Sequence, residues 1–144
     1  MNYRNIDIDY REYRTSKLIQ MMSDNELAIP DFKNDTSRNS EFIEGMLIGA
    51  VPIDMVMHFS LDRNGDKKYT MLNGKKRLAA INDFINNKFA LSGMEFLPRL
   101  EGLKFVDISN SLARSMLDTV FNVSVIRDIY KDEETTKSII RRFS

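Results

Sequence analysis

Apolar and polar residues alternate along some stretches of this chain and recur at helical spacing along others, which separates strands from helices. From Ile53 to Leu61 the alternation is clean, with Ile53, Met55, Met57 and Phe59 on one face and Asp54, Val56 and His58 on the other. Asn64-Gly65 follows, a pair suited to the positive φ angles of a tight hairpin, and predicts a return strand over Lys68 to Leu72. Phe121 to Ile126 is a further run of β-formers, and Leu27-Ala28-Ile29-Pro30 a brief strand ended by proline. In residues 1–14, Ile6 and Ile8 alternate with Asp7 and Asp9, which fits either a short edge strand or an ordered arm. Phe89 to Leu91 and Met94 to Leu97 flank Ser92-Gly93 as a second hairpin.

Helical spacing begins after Thr15 or Ser16, either of which can cap a helix reaching Ser23 with Leu18, Met21 and Met22 inward. Asp31 to Asn39 reads as a loop, and Asn39 or Ser40 opens a second helix with Phe42, Ile43, Met46 and Leu47 on one face. Gly49 stands where a left-handed C-terminal residue belongs, and Pro52 bars the helix from resuming. Gly45, inside that helix, marks a close approach to another element. Leu78, Ile81, Phe84 and Ile85 define a third helix expected to pack on the sheet. Ser109 or Asn110 caps a fourth, carrying Leu112, Met116 and Leu117. A fifth runs from about Asp132 to Arg142, acidic at its start and basic at its end, as the helix dipole favours. The interleaved order predicts an α+β fold: one domain over residues 1–144, a small mixed sheet with hairpins packed against several helices.

Composition narrows the chemistry. Lys plus Arg and Asp plus Glu number 21 each, so no global field attracts nucleic acid or acidic membranes and any anion site is local. The absence of cysteine removes disulfides, thiolate metal sites and thiol catalysis, and a single histidine, His58, removes a multi-histidine metal site. His58, mid-strand, reads as a packed or half-exposed imidazole. No apolar run approaches membrane-spanning length and the N-terminus lacks a signal-peptide core, so the expected location is cytoplasmic, without a membrane partner.

The stretch with the most pronounced chemistry is Tyr69 to Phe84: a short strand, the turn Asn73-Gly74, and a helix opening on Lys75-Lys76-Arg77. Helix N-termini carry unpaired N–H groups and a partial positive charge, so three cations there work against the dipole unless an anion sits among them. Gly74 lets a ligand approach the backbone closely. A solvated basic turn and a phosphate cradle are both compatible with these residues.

Several segments share an order with a known family: Ile29-Pro30-Asp31-Phe32, Phe42 to Gly49 followed by Val51-Pro52-Ile53, Leu72 to Leu78, Asp83 to Phe89, and Ile139 to Phe143. The chain, from about residue 15 to 143, resembles the N-terminal domain of GmrSD-type restriction enzymes, a branch of the ParB/sulfiredoxin-like fold. In that family the segments read I-P-x-F-Q-R, F-I-E-S-L-L-L-G-x-P and D-G-Q-Q-R-L, and the domain binds and hydrolyses nucleotide to control a nuclease acting on foreign DNA. Pro30, Phe32, Gly74 and Arg77 match. Lys33-Asn34 stand in place of Gln-Arg, Asn73 in place of Asp, and Lys75-Lys76 in place of Gln-Gln, while the family's tryptophan after the first motif is missing. Gly74 to Ala80 also looks like the G-E-R-R-x-x-A box with which ParB proteins hold CTP. Sulfiredoxin chemistry, which needs a cysteine beside the turn, is excluded.

The resemblance implies a phosphate site made of Gly74, Lys75, Lys76 and Arg77, with Asn73 beside them and Lys33 contributed by the first motif loop. It implies a nucleoside triphosphate with Mg²⁺, or a nucleic-acid backbone, as ligand. Asn73 lacks the carboxylate expected to bind metal or orient water, so any NTPase activity is expected to be weak and no catalytic residue is assigned. The expectation is a lone sensor domain without its nuclease, linked to DNA metabolism, restriction or anti-restriction. The alternative is a phage or mobile-element interaction protein that inhibits or regulates a host DNA-processing or defence complex through a host or phage protein partner.

Overall fold

A computed structural model describes residues 6–30, 36–128 and 133–144. The described chain is α+β, with a five-stranded mixed sheet and five α-helices, and its contacts divide it into two compact units. The first comprises Met1–Phe32, Ile53–Lys75 and Val120–Ser144, and the second Lys33–Pro52 and Lys76–Thr119.

The first unit holds the whole sheet. Its strands are β1 (Ile6–Arg14), β2 (Leu27–Ala28), β3 (Asp54–Leu61), β4 (Lys67–Asn73) and β5 (Val120–Asp128), in the order β1-β5-β3-β4-β2. β1 and β5 run antiparallel from Ile6↔Asp128 to Arg14↔Val120, so residues 6–14 form an edge strand rather than an arm, and residues 1–5 lie outside the described residues. β3 and β4 form the hairpin written in Asn64-Gly65, with Gly65 at φ 79°. β3 lies parallel to β5, and β2 parallel to β4.

One face of this sheet carries the buried Met55, Met57, Tyr69, Met71, Phe121, Val123 and Val125. The other is covered by α5 (Glu133–Phe143), whose Ile139 packs with Leu72 and Ile126 while Ile6, Val56 and Phe143 close around them. Both faces being in contact with apolar residues explains why His58, on the polar side of the alternation, is nonetheless 6% exposed. The register shifts by one residue where Val56 pairs Asn73 and Met57 pairs Met71, which leaves Leu72 without a β3 partner. Such a bulge bends the end of a strand, here just before the Gly74 turn. α1 (Thr15–Ser23) buries Leu18 and Met21 as expected, but its start differs. Arg14 occupies the capping position but its side chain does not cap the helix, and Thr15 is already helical and buried.

The second unit is helical: α2 (Asn39–Leu47), α3 (Lys75–Ile85, whose first residue closes the Ile53–Lys75 segment of the first unit), α4 (Asn110–Asp118) and two short 3-10 turns at Pro98–Leu100 and Phe105–Asp107. Phe84 is fully buried, with Phe89 and Phe105 at ring-centroid distances of 5.5 and 5.8 Å. Ser109 caps α4 by accepting from the Leu112 N–H at 3.2 Å. Gly49 takes φ 78° after α2, and a Cβ on Gly45 would lie 3.0 Å from Val51 Cγ1, the close approach that the glycine allows.

The expected second hairpin over residues 89–97 is absent. Leu91 instead exchanges backbone hydrogen bonds with Leu103 and Gly102, and the stretch after Gly93 is held by carboxylates. Glu101 accepts from the N–H groups of Gly93 and Met94, and Glu44 from those of Glu95, Phe96 and Leu97. Once side chains satisfy these amides, no partner strand is needed.

Candidate functional site

α3 begins where β4 ends, with Gly74 at φ 116°, in the region that a side chain disfavours. Asn73 is the last residue of β4 and is exposed. Lys75 is the first residue of α3, and no acidic residue occupies the first helical turn. Lys76 and Arg77 are the next two residues, and within the second unit they line a concave pocket of about 380 Å³ together with Arg38, Glu41 and Phe42 of the α2 region.

Helical periodicity is what brings these cations together. Lys76, Arg77 and Ala80 share a side of α3, while Leu78, Ala79, Ile81 and Phe84 are buried. Arg77 donates from Nη1 to the Pro52 carbonyl at 2.6 Å, which ties the first turn of α3 to the segment that follows α2. Arg38 donates from Nε to Glu41 at 2.8 Å, an exposed i,i+3 ion pair that raises the guanidinium above its ordinary pKa. Lys76 is exposed and forms no ion pair among the described residues. Among the described residues the pocket therefore carries three cations against one carboxylate, with the Phe42 ring and Ala80 as apolar wall.

Of the residues expected to hold phosphate, Lys76 and Arg77 meet in this pocket. Gly74, Lys75 and Asn73 are contiguous with them in the chain but are not among its lining residues. Lys33 lies outside the described residues. Arg38 was not anticipated; its only sequence signal is that it directly precedes α2. Glu44 was also missed as a polar anchor, because a glutamate within a helical stretch reads as solvated. Among the described residues no three His, Asp or Glu side chains gather as metal ligands, and no helix is long and apolar enough to cross a membrane.

No protein-family model, curated protein or solved structure matches this chain. What the site does is therefore read from its own residues and from the motif order.

Proposed function

We propose that this chain binds the phosphate of a nucleotide or of a nucleic-acid backbone at the α2–α3 pocket, and that it turns nucleotide over poorly or not at all. The observation that carries the reading is the convergence of Arg38, Lys76 and Arg77 on one pocket of about 380 Å³, at the edge of the size range of small-ligand sites. The motif order and the strand–Gly74–helix junction support assigning the fold to the ParB/sulfiredoxin-like group. Lysine and arginine neutralise phosphate charge in ground state and transition state alike, which favours binding without accelerating cleavage. Asn73 is a weak Mg²⁺ ligand compared with a carboxylate, so Mg²⁺ would arrive with the triphosphate and gain little from the protein.

The test is calorimetric titration of the full chain with Mg²⁺-ATP and Mg²⁺-CTP, and with a short single-stranded oligonucleotide. Lys76→Glu, at an exposed position, is expected to weaken binding on the order of tenfold, and the oligonucleotide affinity is expected to fall with salt at a log–log slope of roughly −1 to −4. Asn73→Asp with Lys75→Gln and Lys76→Gln restores the family's D-G-Q-Q-R and is expected to raise phosphate release at least about tenfold, or ~1.4 kcal/mol of barrier. Absence of binding by native protein, or binding unmoved by Lys76→Glu, overturns the reading.

One observation favours a second reading, an interaction protein that uses the fold as scaffold. Arg77 and Arg38 already have partners inside the protein, at Pro52 and Glu41. If their work is structural, nucleotide binding is absent and the pocket is an incidental concavity.

A further inference from the structure

The two edges of the sheet in the first unit are built differently. β2, at one edge, has two residues and is followed by Ile29 and Pro30, so it offers little ladder to a further strand. β1, at the other, has nine residues and pairs with β5 at every one of them without a register shift. It contains no proline, glycine or lysine, and among the described residues no strand pairs its outer side. Alternate residues of such an edge point N–H and C=O groups outward, which template another strand.

The charges on β1 that would hinder a neighbour are matched within the chain. Asp7 is held by Arg127 Nη2 at 2.7 Å and Asp9 by Arg11 Nε at 2.6 Å. Arg11 Nη1 also donates to the Tyr13 and Tyr69 hydroxyls at 2.8 and 3.0 Å, which fixes the guanidinium in place. On the opposite face of the strand, Ile6 packs into the cluster beneath α5, whereas Ile8 is 39% and Tyr10 78% exposed. Tyr10 is the most exposed large apolar side chain among the described residues, and it stands at the middle of the edge.

These features select the occupant. A second β1 laid antiparallel about a two-fold axis keeps the faces of both sheets aligned, so opposed residues share a face. Centred on Tyr10, the ladder uses all nine residues of both copies, with Ile6 opposite Arg14. Asp9 then faces the second copy's Arg11, twice by symmetry, and Tyr10 faces its own equivalent with an Ile8 on each diagonal. A centre at Asp9 or at Arg11 would instead set that charge against itself. We propose that β1 pairs with β1 of a second copy of this chain in the Tyr10-centred register, joining two five-stranded sheets into one of ten. The surface is independent of the phosphate pocket and would stand if that reading failed.

Sedimentation equilibrium of the full chain is expected to show a reversible dimer with a micromolar dissociation constant, because a single strand pair is a small interface. Tyr10→Glu, at an exposed position, sets like charges face to face on the axis and is expected to weaken the dimer at least about tenfold. The chain has no cysteine of its own, so introduced thiols report the register. Opposed residues of an antiparallel pair have Cα atoms about 4.5–5.5 Å apart, within disulfide reach. Tyr10→Cys is therefore expected to give a disulfide-linked dimer in a glutathione redox buffer. Ile8→Cys puts its two thiols four residues out of step, about 13 Å, and is expected to give none. These two variants decide the matter even where Tyr10→Glu fails to fold. A native chain that stays monomeric at about 300 μM overturns the proposal and leaves the edge to another partner. So does a dimer that folded Tyr10→Glu leaves intact, no linkage through Tyr10→Cys, or equal linkage through Ile8→Cys.

Discussion

Glu44 and His58 are buried ionisable side chains, one in each compact unit, and their surroundings treat them in opposite ways. Glu44, 4% exposed, accepts from three consecutive backbone N–H groups at 3.2, 2.8 and 2.7 Å. Burial pushes its carboxyl up, and those donors more than reverse the effect, leaving it below its ordinary value. His58, 6% exposed, has an Nε2 with no partner, and burial dominates its pKa. A satisfied buried charge shapes its loop, whereas an unsatisfied buried ring destabilises its own site. The contrast separates polar burial that builds structure from polar burial that costs stability.

The largest expected effect comes from removing the satisfied group. Glu44→Ala strands the amides of Glu95, Phe96 and Leu97, and is expected to lower the thermal midpoint more than any other substitution named here. Hydrogen exchange should quicken at those three amides in particular. A variant that melts like the native protein would break the comparison, since the carboxylate would then be ornamental.

His58→Leu is expected to do the reverse. Removing an orphaned polar atom and filling its volume with hydrocarbon should leave stability within about 1 kcal/mol of native or raise it. Urea unfolding checks this. A loss of several kcal/mol would mean that the imidazole has a structural partner and that the contrast with Glu44 is false.

The smallest effect is a split in acid sensitivity. The folded-state pKa of His58 lies below 6.5, so above that pH the group is neutral in both states and its protonation adds no pH-dependent cost. As pH falls through 6.5 the unfolded chain takes up the proton first, and stability declines until the folded pKa is reached. Glu44, also shifted down, contributes fully above its ordinary 4.5 and loses that contribution as pH falls further, through its folded value. Stability measured against pH should therefore fall in two stages, with the upper stage missing in His58→Leu. Persistence of the upper stage in that variant would assign it elsewhere.

Much of the site's local structure was legible in residue order. Gly74 before Lys75-Lys76-Arg77 announced a strand–turn–helix junction, and the junction is there with Gly74 at positive φ. Arg38 was not legible, because nothing in its own stretch says which side chains of α3 it will meet. The hairpin expected at Ser92-Gly93 failed for a related reason. A turn signal between short apolar runs predicts strand pairing only when the amides have no other partner, and Glu44 lies about fifty residues away in sequence.

The sequence by itself determined the elements whose signals are local. These are the β3–β4 hairpin from Asn64-Gly65, the end of α2 from Gly49, the cap of α4 from Ser109, and the alternation that makes β5 a strand. Backbone sterics and near-neighbour hydrogen bonds act over a few residues, so residue order is enough to set them. Only the tertiary structure decided that β5 runs between β1 and β3, that α5 covers the polar-looking side of β3 and buries His58, and that Glu44 replaces a strand as partner for the 95–97 amides. Those outcomes depend on which distant groups reach each other once apolar faces are buried, and burial turns an ordinary imidazole or carboxylate into either a strain or an anchor.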